Sequence, residues 1–210
     1  MTTKNQWTID PAHSEIAFKV KHLMISNVRG KFTEFDADIQ VLGDDFSTAE
    51  VDLWINAASI TTNDEKRDEH LRSADFFDVE NFKEISFLST VVEKTSKENI
   101  YNLVGELTMK GITREVRLEV DFGGIMKDPW GNEKAGFSVH GKINRKDWGL
   151  MWNATLETGG VLVSDEISIS CEIQLIRSQR KLRATALEAA ETATETSSET
   201  NLESTEPIAL

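Results

Sequence analysis

The sequence predicts an all-β protein: a closed, antiparallel, up-and-down barrel of about eight strands, with a short helix between strands 3 and 4 and an acidic C-terminal tail. Three observations carry this reading. Apolar side chains recur at every second residue in eight separate segments, the mark of half-buried antiparallel strands. Turn-forming residues separate those segments. Eight strands with one apolar face each lose their exposed edges only by closing on themselves.

In chain order, Ile16, Phe18 and Val20 alternate with Ala17, Lys19 and Lys21. Phe35, Ala37, Ile39 and Val41 form the second set. Val51, Leu53 and Ile55 form the third, with Trp54 on the outer face. Ile85, Phe87, Ser89 and Val91 follow, then Tyr101, Leu103, Gly105, Leu107 and Met109. Val116, Leu118, Val120 and Phe122 oppose Arg117, Glu119 and Asp121. The last two sets are Ala135, Phe137, Val139, Gly141, Ile143 and Ile167, Ile169, Cys171, Ile173, Leu175. His140 falls on the outward phase. Gly43-Asp44-Asp45, Lys110-Gly111, Gly123-Gly124 and Asp128-Pro129-Trp130-Gly131-Asn132 mark turns. A barrel of this strand count is either filled by side chains or holds one small ligand. The small inward residues Ser89, Gly105 and Gly141 leave space and favour a cavity; the other reading is local packing or a bulge.

Two segments break the alternation. Thr62 to Ser73 opens as a capped helical turn at Thr62-Asn63-Asp64-Glu65. It continues into Arg67-Asp68-Glu69-His70-Leu71-Arg72-Ser73-Ala74-Asp75-Phe76-Phe77-Asp78, where charges adjoin two Phe and a Leu. That mix suits the rim of an apolar cavity; read alone, it equally describes an amphipathic helix plugging a core. The other segment is Arg145 to Gly160, with Trp148-Gly149-Leu150-Met151-Trp152.

The chain has 210 residues and a net charge of −13. Nucleic acid, whose binding rests on phosphate neutralisation, is disfavoured, as is adsorption to anionic lipid. No apolar run spans a bilayer, so no stable membrane insertion is expected. The N-terminus lacks an apolar leader and Cys171 is the only cysteine, which suits a cytoplasmic protein. Neither a phosphate loop nor a nucleophile elbow occurs. His13, His22, His70 and His140 share no metal-ligand spacing, so neither metal nor cofactor is expected. Asp68 and His70 are the one local pair that an enzyme acting on a hydrophobic substrate would use. A filled barrel serving as a stress-related interaction module is a further alternative.

Several motifs taken in order resemble the YceI-like, polyisoprenoid-binding family. They begin with Trp7-Thr8-Ile9-Asp10-Pro11-Ala12-His13-Ser14, Val20-Lys21-His22, Gly30-Lys31-Phe32 and Ser59-Ile60-Thr61-Thr62. The most specific are Arg67 to Ser73 and Asp75-Phe76-Phe77-Asp78. Ile85-Ser86-Phe87, Gly105-Glu106-Leu107-Thr108, Lys110-Gly111-Ile112-Thr113 and Trp148-Gly149 follow. Phe82-Lys83 stands where members often have Tyr-Pro. The resemblance covers residues 7 to about 176 and implies a lipocalin-like barrel without catalytic residues, in several members a homodimer. Its ligand would be a long isoprenoid-type lipid, polyprenyl or quinone-like, held lengthwise inside. On that reading Phe18, Val20, Phe87, Leu107, Phe137 and Ile143 line the interior. Leu71, Phe76, Phe77, Trp148 and Met151 close its ends, and Arg67, His70 and Arg72 meet a polar head group through forked hydrogen bonds.

Residues 1–180 form the barrel domain on this reading, and 181–210 a disordered or marginally helical tail. Lys181 and Arg183 against Glu188, Glu191, Glu195, Glu199, Glu203 and Glu206 leave −4 in the tail and −9 in the remainder. Such a stretch has too few large apolar groups to offset its ordering entropy. Truncation after Arg180 is expected to leave folding and binding intact. A thermal-melt loss above about 5 °C, on the order of 1–2 kcal/mol, would instead make the tail structural.

Overall fold

Alternating apolar side chains become strands at all eight segments in the computed structural model, which describes residues 4–154 and 161–178. Met1–Arg177 forms one compact unit; the expectation for residues 181–210 lies outside the described residues, as does part of the 145–160 segment. Among the described residues there are eleven strands: β1 (Lys4–Ile9), β2 (Glu15–His22), β3 (Ser26–Phe32), β4 (Phe35–Leu42), β5 (Asp45–Asn56), β6 (Ile60–Thr61), β7 (Glu84–Lys94), β8 (Ile100–Met109), β9 (Ile112–Lys127), β10 (Glu133–Asn144) and β11 (Val163–Arg177). The ring β1-β4-β5-β7-β8-β9-β10-β11 closes through β1–β11 pairing, and β2, β3 and β6 extend it.

The extra strands do not add staves to the barrel. Both β1 and β2 run antiparallel along β11, from Trp7↔Arg177 to Ile9↔Leu175 and from Ile16↔Cys171 to His22↔Val163. They are two halves of one broken stave. β4 and β3 lie along them in the same way, and β5 and β6 along β4 and β3. The eleven strands therefore make eight up-and-down staves, the first three broken once each. The alternation reading passed over β1 because only Trp7 and Ile9 are apolar there, and β3 because Gly30 occupies one of its inward positions.

Side chains splice each break. Pro11 has no N–H for a ladder. At that break Asp10 Oδ1 accepts from the Ala12 N–H at 3.2 Å, and the Gln174 N–H donates to Ser14 Oγ at 2.9 Å. At the second and third breaks Ser59 Oγ accepts from the Thr33 and Glu34 N–H groups. Such interruptions bend a strand and let a barrel turn inward at one end.

Asp10 is buried at the first break, 2.7 Å from Lys134 Nζ and 3.0 Å from His13 Nδ1. The Lys134 hydrogen bond is the leading cause of a carboxyl pKa below its ordinary value; burial opposes it and His13 reinforces it. A depressed folded pKa means the stabilisation is complete above the unfolded value, near 3.8, and lost as pH falls through the folded one. Lys134→Met removes the leading cause and leaves the burial, so acid unfolding is expected to start at higher pH in a circular-dichroism titration.

Helix α1 spans Glu65–Arg72 between β6 and β7. Asp64 caps it by accepting from the Arg67 N–H at 3.1 Å. The small inward residues do not open space as expected. A Cβ at Gly105 would lie 2.4 Å from the Phe87 ring, and at Gly141 2.4 Å from Leu118. Large side chains already lie across those glycines. Ser89 marks a bulge, where its Oγ accepts from the Val51 N–H at 2.8 Å.

Candidate functional site

The barrel encloses a cavity of about 300 Å³. A site for one ordered water needs only about 10–15 Å³ by a comparable measure, so the interior is not that of a filled barrel. Its wall draws on every stave and is apolar almost throughout. Phe18, Val20, Phe87, Leu107, Phe137 and Ile143 from the strands lie on it, as do Leu71, Phe76 and Phe77 from the α1 connection.

The two ends differ. The β4–β5, β7–β8 and β9–β10 turns share one end. There Phe46 packs against Trp7, Phe122 and Phe137 with ring centroids 5.4, 5.1 and 4.9 Å away. Arg177 stacks on Trp7 at 4.7 Å and pairs with Glu133 and Asp44, pinning the closing strands. The other end carries the β2–β3 turn, the α1 connection, the β8–β9 turn and the β10–β11 connection. Phe77 meets Phe32 edge-on at 6.0 Å there, and Phe76 packs 5.3 Å from Trp152.

Trp148 and Met151 do not close the cavity as expected. Trp148 is 2% exposed but off the wall, its Nε1–H donating to the Leu107 carbonyl at 3.0 Å. Met151 is 59% exposed. The expected polar rim is also engaged elsewhere. Arg67 Nε and Nη2 donate to Thr62 Oγ1 and the Thr62 carbonyl. Arg72 donates to the carbonyls of Ala58 and Ile60 and pairs with Glu65 at 3.2 Å. Arg72 satisfies backbone oxygens at the third stave break, and Arg67 one just beyond the end of β6. His70 Nε2 sits 3.1 Å from Asp75 Oδ2, and its ring stands edge-on to Phe76 and Trp152 at 5.1 and 4.6 Å. It wedges the α1 connection against the β10–β11 connection.

Asp68 and His70 do not form a pair. Asp68, 3% exposed, accepts from Thr61 Oγ1, Thr62 Oγ1 and the Thr62 N–H at 3.0, 2.5 and 2.8 Å. Burial is the largest influence on its carboxyl and pushes the pKa up. The threonine hydrogen bonds and the Arg72 charge outweigh it, leaving the pKa below its ordinary value. Asp68 is thus a saturated acceptor that holds the α1 connection to β6.

Sequence reasoning missed Arg145, the one charged residue on the cavity wall among the described residues. It is 3% exposed. Its Nε donates to the Ser164 carbonyl and its Nη1 to the carbonyls of Leu150 and Trp152, while Nη2 lies 3.3 Å from Asp165. Burial lowers its pKa and Asp165 opposes that; a guanidinium stays charged at neutral pH regardless. A signal for it existed: Ile143 faces inward, so the period-two phase carries on to position 145. Cys171 also lines the wall, and burial pushes its thiol up to about 11. No group of three or more His, Cys, Asp or Glu among the described residues is placed to hold a metal. No helix among them is long and apolar enough to cross a membrane.

The family model described as the YceI-like domain matches residues 7–175. The chain belongs to the YceI-like family. A UPF0312 protein of Staphylococcus aureus (strain MSSA476) is 39% identical over 169 residues, 80% of this chain and 95% of the relative. The crystal structure of the Campylobacter jejuni YCEI protein superimposes with a TM-score of 0.65 at 33% identity, over 81% of this chain and 96% of that one. A polyisoprenoid binding domain from Saccharophagus degradans, implicated in plant cell wall breakdown, shares the fold: TM-score 0.60, 11% identity, 82% and 98% coverage. The match from residue 7 to 175 takes in all eight staves of this YceI-like barrel, from the second half of β1 to near the end of β11.

Proposed function

We propose that this YceI-like barrel is a non-enzymatic carrier or sequestering protein for a long apolar isoprenoid-type lipid, polyprenyl or quinone-like. The observation that carries the reading is the cavity wall: apolar from end to end, with one buried guanidinium. That interior suits a hydrocarbon chain. The polyisoprenoid-binding neighbour of the same fold supports the ligand class. Along β11, wall positions run from Val163 to Leu175. At about 3.3 Å per residue and a strand tilt near 40°, this is roughly 30 Å of barrel axis, a length that suits an extended chain.

The polar head is assigned to the Arg145 end. Arg145, like Arg67 and Arg72, bonds backbone carbonyls, but of the three it alone lies on the cavity wall. Cytoplasmic residence and homodimer formation belong to the same proposal, and cell fractionation and sedimentation equilibrium test them.

Lipid extraction and native mass spectrometry of protein from its own host identify the ligand. Burying each isoprene unit contributes on the order of 1–3 kcal/mol before ordering costs. Affinity across a polyprenyl series is therefore expected to rise steeply with chain length, then level off when the cavity is full. A flat series measured by fluorescence displacement would exclude lengthwise binding.

A further inference from the structure

At the Arg145 end the β2–β3 hairpin carries an exposed apolar tip. Leu23, Met24 and Ile25 are 36%, 55% and 87% exposed. Leu23 and Met24 sit at φ 52° and 61°, where Asn or Gly is the usual choice; bulky side chains there cost stability. The Leu23 N–H donates to the Leu162 carbonyl at 2.8 Å, which sets the tip beside Val161, itself 40% exposed. Val20 and Val163, on the same strands, line the cavity. The apolar patch is thus continuous with the cavity rim.

The hairpin is also cationic in a strongly acidic chain. Between Glu15 and Glu34 there is no Asp or Glu, while Lys19, Lys21, Arg29 and Lys31 all lie there. Lys19 and Arg29 stand directly opposite each other in the β2–β3 register, a like-charge pairing that destabilises a sheet. Lys31 pairs with Glu15. Lys19, Lys21 and Arg29 make no ion pair with a described residue. On neighbouring β11, Asp165 and Glu166 are taken by Arg145, Lys146 and Lys142. Charges farther than a Debye length, about 8 Å at physiological salt, are largely screened, so the acidic residues at the opposite end of the barrel, such as Asp44 and Asp128, do not cancel this local field.

We propose that the β2–β3 hairpin docks the barrel on an anionic lipid bilayer. Leu23, Met24 and Ile25 enter the headgroup boundary and Lys19, Lys21 and Arg29 meet the lipid phosphates. The inference rests on the carrier reading and deepens it: the docked rim lets an apolar ligand pass between bilayer and cavity without crossing water. The anionic bilayer is chosen over a second copy of the chain because the unpaired cations flank the tip, and two such hairpins face to face would oppose like charges.

Flotation of the full-length protein with phosphatidylcholine vesicles, with and without phosphatidylglycerol, tests the proposal. Binding of farnesol from solution reads the cavity separately. The wild type is expected to float only with the phosphatidylglycerol vesicles, and less as salt is added. K19Q/R29Q is expected to weaken vesicle binding by about 25-fold, near fivefold per charge, and M24S/I25S to abolish it. Both variants are expected to keep farnesol binding and thermal stability. Wild type that ignores anionic vesicles, or variants that float as well as wild type, would overturn the docking proposal whatever farnesol does. Vesicle binding with no binding of farnesol or of any longer polyprenol would uphold docking and overturn the carrier reading. A dimer broken by M24S/I25S, with no flotation, would assign the tip to a second copy and overturn the bilayer.

Discussion

Phe137→Asp is expected to cost the barrel several kcal/mol, or to leave the new carboxyl protonated at neutral pH, while His140→Asp three residues away changes stability by less than about 1 kcal/mol. Phe137 stacks on Phe122 at 5.1 Å, packs 4.9 Å from Phe46, and lies on the cavity wall. A carboxylate there loses water and gains no donor, because its neighbours are rings and aliphatic groups. It also removes a ring from the cluster that fills that end of the barrel. His140 is exposed on the outer face of β10, opposite Ser170 of β11 and Glu119 of β9. An aspartate there stays solvated and adds only a screened repulsion from Glu119. Urea unfolding of the two variants decides the matter: equal losses would mean the face assignment of β10 is wrong.

Gly105→Val is expected to be nearly as damaging for a different reason. A Cβ on Gly105 falls 2.4 Å from the Phe87 ring and 2.5 Å from the Leu88 carbonyl oxygen. The ring can rotate away; the carbonyl belongs to the β7–β8 ladder, where Leu88 faces Glu106 and Ser89 faces Gly105. Relief requires those strands to part, so the loss is expected at about 3 kcal/mol, the upper end of ordinary overpacking, or roughly 10 °C in Tm. Phe87→Ala combined with Gly105→Val tests the cause. Recovery of most of the stability would show that the ring alone sets the limit; persistent loss would implicate the backbone.

These two positions show what can be read without a structure. Phe137 and His140 are assigned to opposite faces by alternation alone, since strand side chains point to one side and then the other. Alternation puts Gly105 on the inward face, yet the space before it is taken by the Phe87 ring. Period two reports which way a position points, and nothing about what fills the space in front of it. Trp148 shows the same limit. Its size and neighbours suited a cavity plug, yet a buried indole N–H takes a backbone acceptor where one is reachable, and the Leu107 carbonyl supplies it.

The sequence by itself determined the all-β class, the eight up-and-down staves, the facing of their side chains and the site of helix α1. All of these follow from local periodicity and caps, which need no knowledge of distant residues. The tertiary structure alone decided that three staves are broken, that Arg67 and Arg72 serve the backbone, and that Arg145 reaches the cavity. A long cationic side chain goes to whichever unsatisfied oxygens the fold brings near it. For Arg72 these are the carbonyls of Ala58 and Ile60, and for Arg145 those of Leu150, Trp152 and Ser164. Leaving such buried carbonyls unpaired costs more than pairing them returns in net stability, so the path of the backbone at the stave ends, not the residue type, sets the role of each arginine.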